Sequence, residues 1–433
     1  MKFRDEVITL IQAGVKPALG CTEPGAVALA AAYAGQALGA EIPTKVEVCV
    51  DSNVYKNGVA VGIPGTGKVG LAIAAALGAL IKEPALELSV LSRITPELLT
   101  MADTMLAGDK VDIRLNDHQG LHIEVKVSGV TSWARAVIDG SHTNLILLER
   151  DGKTLSCKAA ATAAKSVAIM NNAEVTLAGI IAAVEEMPGE EFAFFAESIR
   201  MNQAAARAGL NGRLGMAIGA TFQDMINEKI LTDDLVLYAK ILTAAAADAR
   251  MSGENVPVMS VAGSGNHGLT AILPVVAVAE RLNVPQEKLH RALAISALTT
   301  LYIKTYTGSL SALCGCAVAA ATGASAAIVW MLGGSREQID GTIKNMIANL
   351  TGMICDGGKV GCALKLSTAA GVAVETALLT LKNVLVPDSN GIIFQSTDDS
   401  IRNLGMVSSP GMLETDKVIL EIMLEKSKAP AVS

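Results

Sequence analysis

The chain has 433 residues, 51% hydrophobic but only 3% aromatic, with a net charge of −7. That length holds two domains or one large one, and a core so poor in aromatics must be built from Ala, Val, Leu, Ile and Met on closely packed helices. The negative balance argues against a nucleic-acid partner, which usually meets a basic face. The seven cysteines, an odd number, and an amphipathic first stretch, MKFRDEVITLIQAG, without a secretory apolar core, predict a cytoplasmic protein with reduced thiols.

A first helix is expected over residues 1–15. Lys16-Pro17-Ala18-Leu19-Gly20-Cys21-Thr22-Glu23-Pro24 follows, and Pro24 suits the first turn of a helix running to about Ala40, with Thr22 or Glu23 near its cap. Cys21 then sits at a helix N-terminus, where the dipole and free N–H groups lower a thiol pKa. Lys45–Asp51 alternates as a strand, and Tyr55-Lys56-Asn57-Gly58 reads as a turn. Gly62–Val69 (GIPGTGKV) has the glycines and Lys68 of a phosphate-binding loop, but Val69 stands where the magnesium-holding hydroxyl belongs. An anion-binding helix N-terminus survives as a reading there; ATP hydrolysis ranks well below it.

Thr95–Ala107 reads as a helix, and Val111–Asn116, Leu121–Ser128, Thr131–Ile138 and Asn144–Glu149 as strands. Between the last two lies Gly140-Ser141-His142-Thr143-Asn144. It is either ordinary turn chemistry or a carboxylate-binding or proton-transfer loop. Residues 151–170 read as a connector with one short helix. From Val175 to Leu385 the pattern is helical, punctuated by glycine. It is interrupted at residues 257–268, where Gly263, Ser264, Gly265, Asn266 and His267 precede an apolar helix and offer N–H groups and polar side chains to a ligand. A short strand at Gly391–Gln395 and an amphipathic helix near Asp416–Glu425 complete the reading. The predicted class is α+β: residues 1–165 with N-terminal helices and a partly antiparallel sheet, then 166–433, all helical with a C-terminal tail.

A mean hydropathy of +0.43 raises a membrane question. Thr305–Ser335 carries no charge and is long enough to span a bilayer, but it is rich in weakly hydrophobic Ala and Gly and lacks an aromatic belt, as buried central helices do. The same region, Thr307–Lys365, holds Cys314, Cys316, Cys355 and Cys362, each at or near glycine. Buried cysteine is commonly a small hydrophobe. Yet glycine also lets backbone approach an inorganic cluster and turns N–H groups toward sulfur, so the residues by themselves leave both readings open.

Taken together, KPALGCTEP (16–24), YKNG with GIPGTG (55–67), GSHTN (140–144), AGSGNHG (262–268), LCGC (313–316) and CDGGKVGC (355–362) resemble the L-cysteine desulfidase family, in its bacterial branch. That family is related to the iron–sulfur L-serine dehydratases, and the helical half resembles the dehydratase alpha chain. The resemblance implies a [4Fe–4S] cluster held by three cysteines, with one iron left for substrate. It places ligands at Cys355 and Cys362 and at Cys314 or Cys316, with Cys314 the better match by position. It also implies a base or iron-contacting role for Cys21. Substrate contacts are expected from Thr22, His142, Thr143, Asn144, Ser264, Gly265, Asn266 and His267. The activity implied is β-elimination from L-cysteine or L-serine to pyruvate, ammonia and sulfide or water. A homo-oligomer with a small amino-acid substrate and no nucleic-acid or membrane partner is expected. A non-catalytic amino-acid sensor on the same scaffold and a membrane carrier are the competing readings.

Overall fold

The computed structural model describes residues 2–118, 120–157, 175–308 and 311–428. The chain opens with α1 (Lys2–Gly14) and β1 (Val15–Ala18), then α2 (Thr22–Leu38), β2 (Lys45–Val50), α3 (Ser52–Gly58), the short β3 (Gly62–Ile63) and β4 (Lys68–Val69), α4 (Leu71–Ile81) and α5 (Pro96–Ala107). Strands β5 (Val111–Leu115), β6 (His122–Ser128), β7 (Trp133–Asp139), β8 (Leu145–Arg150) and β9 (Lys153–Cys157) follow. With β2 they form a six-stranded sheet in the order β5-β2-β6-β7-β8-β9, antiparallel except for the β2–β5 pair.

The alternation in β2 and β6 sends Val46, Val48, Val50, Ile123, Val125 and Val127 to one face, fully buried against α2 and α4. Those two helices are rich in alanine and touch through glycine. A Cβ on Gly78 would come within 2.1 Å of the Ala28 carbonyl oxygen, and one on Gly35 within 2.4 Å of that of Ala79. The α2–α4 spacing is therefore set by backbone rather than by side chains.

Beyond the sheet the chain is helical: α6 (Leu177–Glu186), α7 (Phe195–Gly212), α8 (Ile218–Asn227), α9 (Leu235–Met251), α10 (Gly265–Arg281), α11 (Gln286–Thr307), α12 (Ala321–Met331, preceded by a π turn at Cys316–Ala320), α13 (Arg336–Leu350), α14 (Cys362–Leu381), α15 (Thr397–Ser408) and α16 (Leu413–Lys428). Their apolar faces share a second core. Tethers cross between the halves among the described residues. β1 pairs antiparallel with β10 (Val258–Val261), Val15 opposite Val261 through Ala18 opposite Val258, so α1 packs with the helical core. At the other end, Leu420 and Leu424 of α16 pack against the sheet-side core, and Asp416 pairs with the buried Lys56 of α3.

Several local readings are corrected. Tyr55–Gly58 is the end of α3, because Asp51 caps that helix by accepting the N–H groups of Asn53 and Val54. Gly62–Val69 is no phosphate loop: it is a β3–β4 hairpin, and Lys68 points to an exposed ion pair with Asp103. Residues 391–395 make turns rather than a strand, and residues 153–157 are β9; the rest of the expected connector, 158–170, lies outside the described residues. The uncharged run Thr305–Ser335 is not one helix, since α11 ends at Thr307 and helix resumes at Cys316. Among the described residues one helical stretch, Cys362–Thr380, is long and apolar enough to cross a membrane, and 61% of it is buried within the protein.

Candidate functional site

The β1–β10 pairing delivers Gly20 and Cys21 to the N-terminal end of α10. Here a cavity of about 110 Å³ is enclosed by residues from both halves. It has a thiol end and a polar end.

At the thiol end, two distant segments are joined by a single bridge between Leu313 and Ile354, with Cys314 N–H donating to the Met353 carbonyl (2.8 Å) and Cys355 N–H to that of Ala312 (2.6 Å). Cys316 opens the π turn and Cys362 begins α14, so all four cysteines of the region line the cavity. The glycine between Cys314 and Cys316 is needed for close approach, because a Cβ on Gly315 would lie 2.3 Å from Nε2 of His267. The Cys316 thiol donates to Cys314, which brings Cys314 down to about 6 and pushes Cys316 up. Burial raises Cys355 and Cys362. Lys304 and Lys365 also line this end. Burial lowers Lys304 to about 8 against the pull of Cys355, Cys316 and Cys314, whereas Lys365 is paired with Asp356.

At the polar end, the Cys21 thiol donates to Oε2 of Glu23 (3.2 Å), and the Thr22 hydroxyl donates to the same oxygen (3.1 Å). Burial, then the Glu23 charge, push Cys21 up to about 12, with Arg250 opposing. The expectation of a thiol lowered by its helix end is thus overturned: desolvation and an adjacent carboxylate outweigh the dipole. Arg250 donates to Oδ1 of Asn266 (2.8 Å) and to the Gly20 carbonyl (2.9 Å). Its Nε, together with Nε2 of His142 and Nδ1 of His267, is buried without a hydrogen-bond partner among the described residues. Burial lowers both histidines, His267 to about 3, so His267 is neutral. An unpaired buried polar atom costs about 1–3 kcal/mol, so three around one cavity mark a place for a polar ligand.

Of the residues singled out from sequence, Cys21, Thr22, His142, Ser264, Asn266, His267, Cys314, Cys355 and Cys362 line the cavity. Thr143, Asn144 and Gly265 do not. Thr143 is exposed, and the Asn144 amide is spent on the Asp139 carbonyl within its own turn (2.9 Å). Sequence reasoning missed Asn57, Arg250, Lys304 and Lys365, and took Glu23 only as a helix cap. A signal existed for two of them: Arg250 and Lys304 are charges near the ends of largely buried helices, and a charge is seldom buried without a partner or a task.

Residues 85–421 match the serine dehydratase alpha chain family. A UPF0597 protein of Alkaliphilus oremlandii is 45% identical over 426 residues, covering 98% of this chain and 99% of its own length. UPF0597 proteins of Clostridioides difficile (45% identical, 97% of this chain and 99% of its own) and Aeromonas hydrophila (44%, 98% and 97%) are similar to it over the same extent.

Proposed function

The chain belongs to the serine dehydratase alpha chain family, and from that membership and the thiol-lined cavity we propose that it is an iron–sulfur-dependent lyase. It removes the β-substituent of L-cysteine or L-serine, giving pyruvate, ammonia and sulfide or water. The observation that supports this reading is the meeting, in one cavity, of the cysteines with three unpartnered polar atoms from His142, Arg250 and His267.

The donor set fits a cluster. Thiolates are soft ligands suited to iron–sulfur centres, and Lys304 and Lys365 supply positive charge beside them. Cys314, Cys355 and Cys362 would hold the cluster, with the Cys316 thiol hydrogen-bonded to the Cys314 sulfur. When bound, such a cluster with an open iron supplies a Lewis acid for the leaving thiol or hydroxyl.

The chain's own residues do the rest. Arg250 and the two histidines take the substrate's carboxylate and ammonium, exchanging unpaired atoms for hydrogen bonds. Cys21 moves the α-proton and works through Glu23. Its thiol proton passes to the Glu23 carboxylate that already accepts it, and the freed thiolate then takes the proton from Cα. The Cα–H electrons form the Cα=Cβ bond as the Cβ–S or Cβ–O bond breaks, and the departing hydrosulfide or hydroxide takes up the proton held on Glu23, leaving Cys21 as the thiol and Glu23 as the carboxylate. The resulting enamine is hydrolysed to pyruvate and ammonia.

Anaerobic reconstitution with iron and sulfide, followed by parallel sulfide and pyruvate assays on both amino acids, tests this. Pyruvate release by loaded protein is expected. Cluster-loaded protein that binds L-cysteine or L-serine without turning either over would be a sensor instead.

A further inference from the structure

We propose that His118, His122 and Asp139 form a binding site for a divalent transition-metal cation of the zinc type, apart from the thiol cavity. None of the three lines that cavity. The first and last residues of neighbouring strands create the site: in the β6–β7 register His122 stands opposite Asp139, and Nδ1 of His122 lies 2.9 Å from Oδ2 of Asp139. His118, from the segment between β5 and β6, brings Nε2 to 3.4 Å from the same oxygen. The three ligand atoms lie within 4.8 Å of one another.

Those separations suit coordination. With metal–ligand bonds of about 2.0–2.1 Å, the corners of a tetrahedron are roughly 3.3–3.4 Å apart. The two edges that meet at Asp139, 2.9 and 3.4 Å, are within a few tenths of an ångström of that spacing, and a metal would draw the two imidazole nitrogens, now within 4.8 Å of each other, together by a rotation of the more exposed His118. Two imidazoles stand within 3.4 Å of a single Asp139 oxygen although only that of His122 hydrogen-bonds to it, and the two rings lie stacked with centroids 4.5 Å apart.

The supports are already in place. The His122 N–H donates to Oδ2 of Asp51 (2.8 Å), fixing the start of β6. The Asp139 N–H donates to the Asn144 carbonyl (3.1 Å), and the Asp139 carbonyl accepts from the Asn144 side chain (2.9 Å), fixing the end of β7. Backbone held in this way orients ligands without help from the metal. Two imidazoles and one carboxylate select zinc-like cations over Mg²⁺ or Ca²⁺, which take oxygen ligands. The His118 side chain is 43% exposed and those of His122 and Asp139 are 17% and 16% exposed, so a fourth position faces solvent. A cation here would tie the segment carrying His118 to the stem of the turn that presents His142 to the cavity.

Zn²⁺ titration into the metal-free full-length chain tests the site, alongside His118→Ala, His122→Gln and Asp139→Asn. The cysteines are the same in every sample, so a difference from wild type reads these ligands alone. Each variant should bind one Zn²⁺ fewer, or bind it at least ~100-fold more weakly, beyond the 10–100-fold typical of an outer-shell loss. Each should also lose part of the Zn²⁺-induced rise in Tm, and Mg²⁺ should not compete. Equal Zn²⁺ stoichiometry and affinity in wild type and the exposed His118→Ala, or equal binding of Mg²⁺, would overturn the proposal.

Discussion

Glu23→Gln separates two properties of Cys21 that ordinarily move together. Cys21 stands at about 12, so at pH 7 only roughly one molecule in 10⁵ carries the thiolate. The Glu23 charge, next after burial among the causes that raise it, vanishes in the amide, whose oxygen can still accept the thiol's hydrogen bond, leaving burial and that bond against the opposing Arg250. Each unit by which the thiol falls multiplies the thiolate fraction tenfold, about 1.4 kcal/mol. Cys21 should therefore be alkylated faster by iodoacetamide, followed on the Cys21 peptide by mass spectrometry in cluster-free protein. Turnover by reconstituted protein should move the other way. The amide cannot accept the thiol proton, so kcat should fall by the ~10²–10⁴-fold typical of a lost proton-transfer partner. Faster alkylation with unchanged kcat would refute the relay through Glu23 while leaving the electrostatics intact. Unchanged alkylation would refute the electrostatics.

Cys355→Ser and Cys362→Ser should each abolish cluster absorbance after reconstitution, whereas Cys157→Ser, at an exposed thiol, should load normally. Glu41 is held down to about 2 by hydrogen bonds from Ser132, Thr131 and Val130. Its contribution is present above the unfolded carboxyl's range and is lost as pH falls from about 4.5 toward 2, so Glu41→Gln should flatten the acid limb of Tm against pH without changing the neutral plateau's shape. Gly78→Val puts atoms where Ala28 backbone oxygen already lies 2.1 Å from a Cβ position, and urea unfolding should show a loss of about 1–3 kcal/mol or more. A neutral result would mean that α2 and α4 separate freely.

What the sequence determined was mainly local. Two-residue alternation set β2 and β5–β8, and long apolar stretches broken by glycine set the helical half, because period and backbone freedom are properties of neighbouring residues. The glycine-flanked cysteines and the His142 and His267 loops could be singled out for the same reason: their unusual residue types stand side by side in the chain. Turn chemistry misled at Tyr55–Gly58, where the Asp51 cap extends a helix into an Asn-Gly pair. β10 was missed because a four-residue strand is specified by its partner, and its partner, Val15–Ala18, lies far away in the sequence. Only the tertiary structure decided that Arg250 reaches back to Gly20, and that Leu313 meets Ile354 so that Cys314 and Cys355 face one cavity. It also reversed the reading of the Cys21 thiol. A helix end is visible in sequence and lowers a thiol's pKa, but burial and the orientation of the Glu23 carboxylate arise only when the chain closes around them, and here they outweigh it.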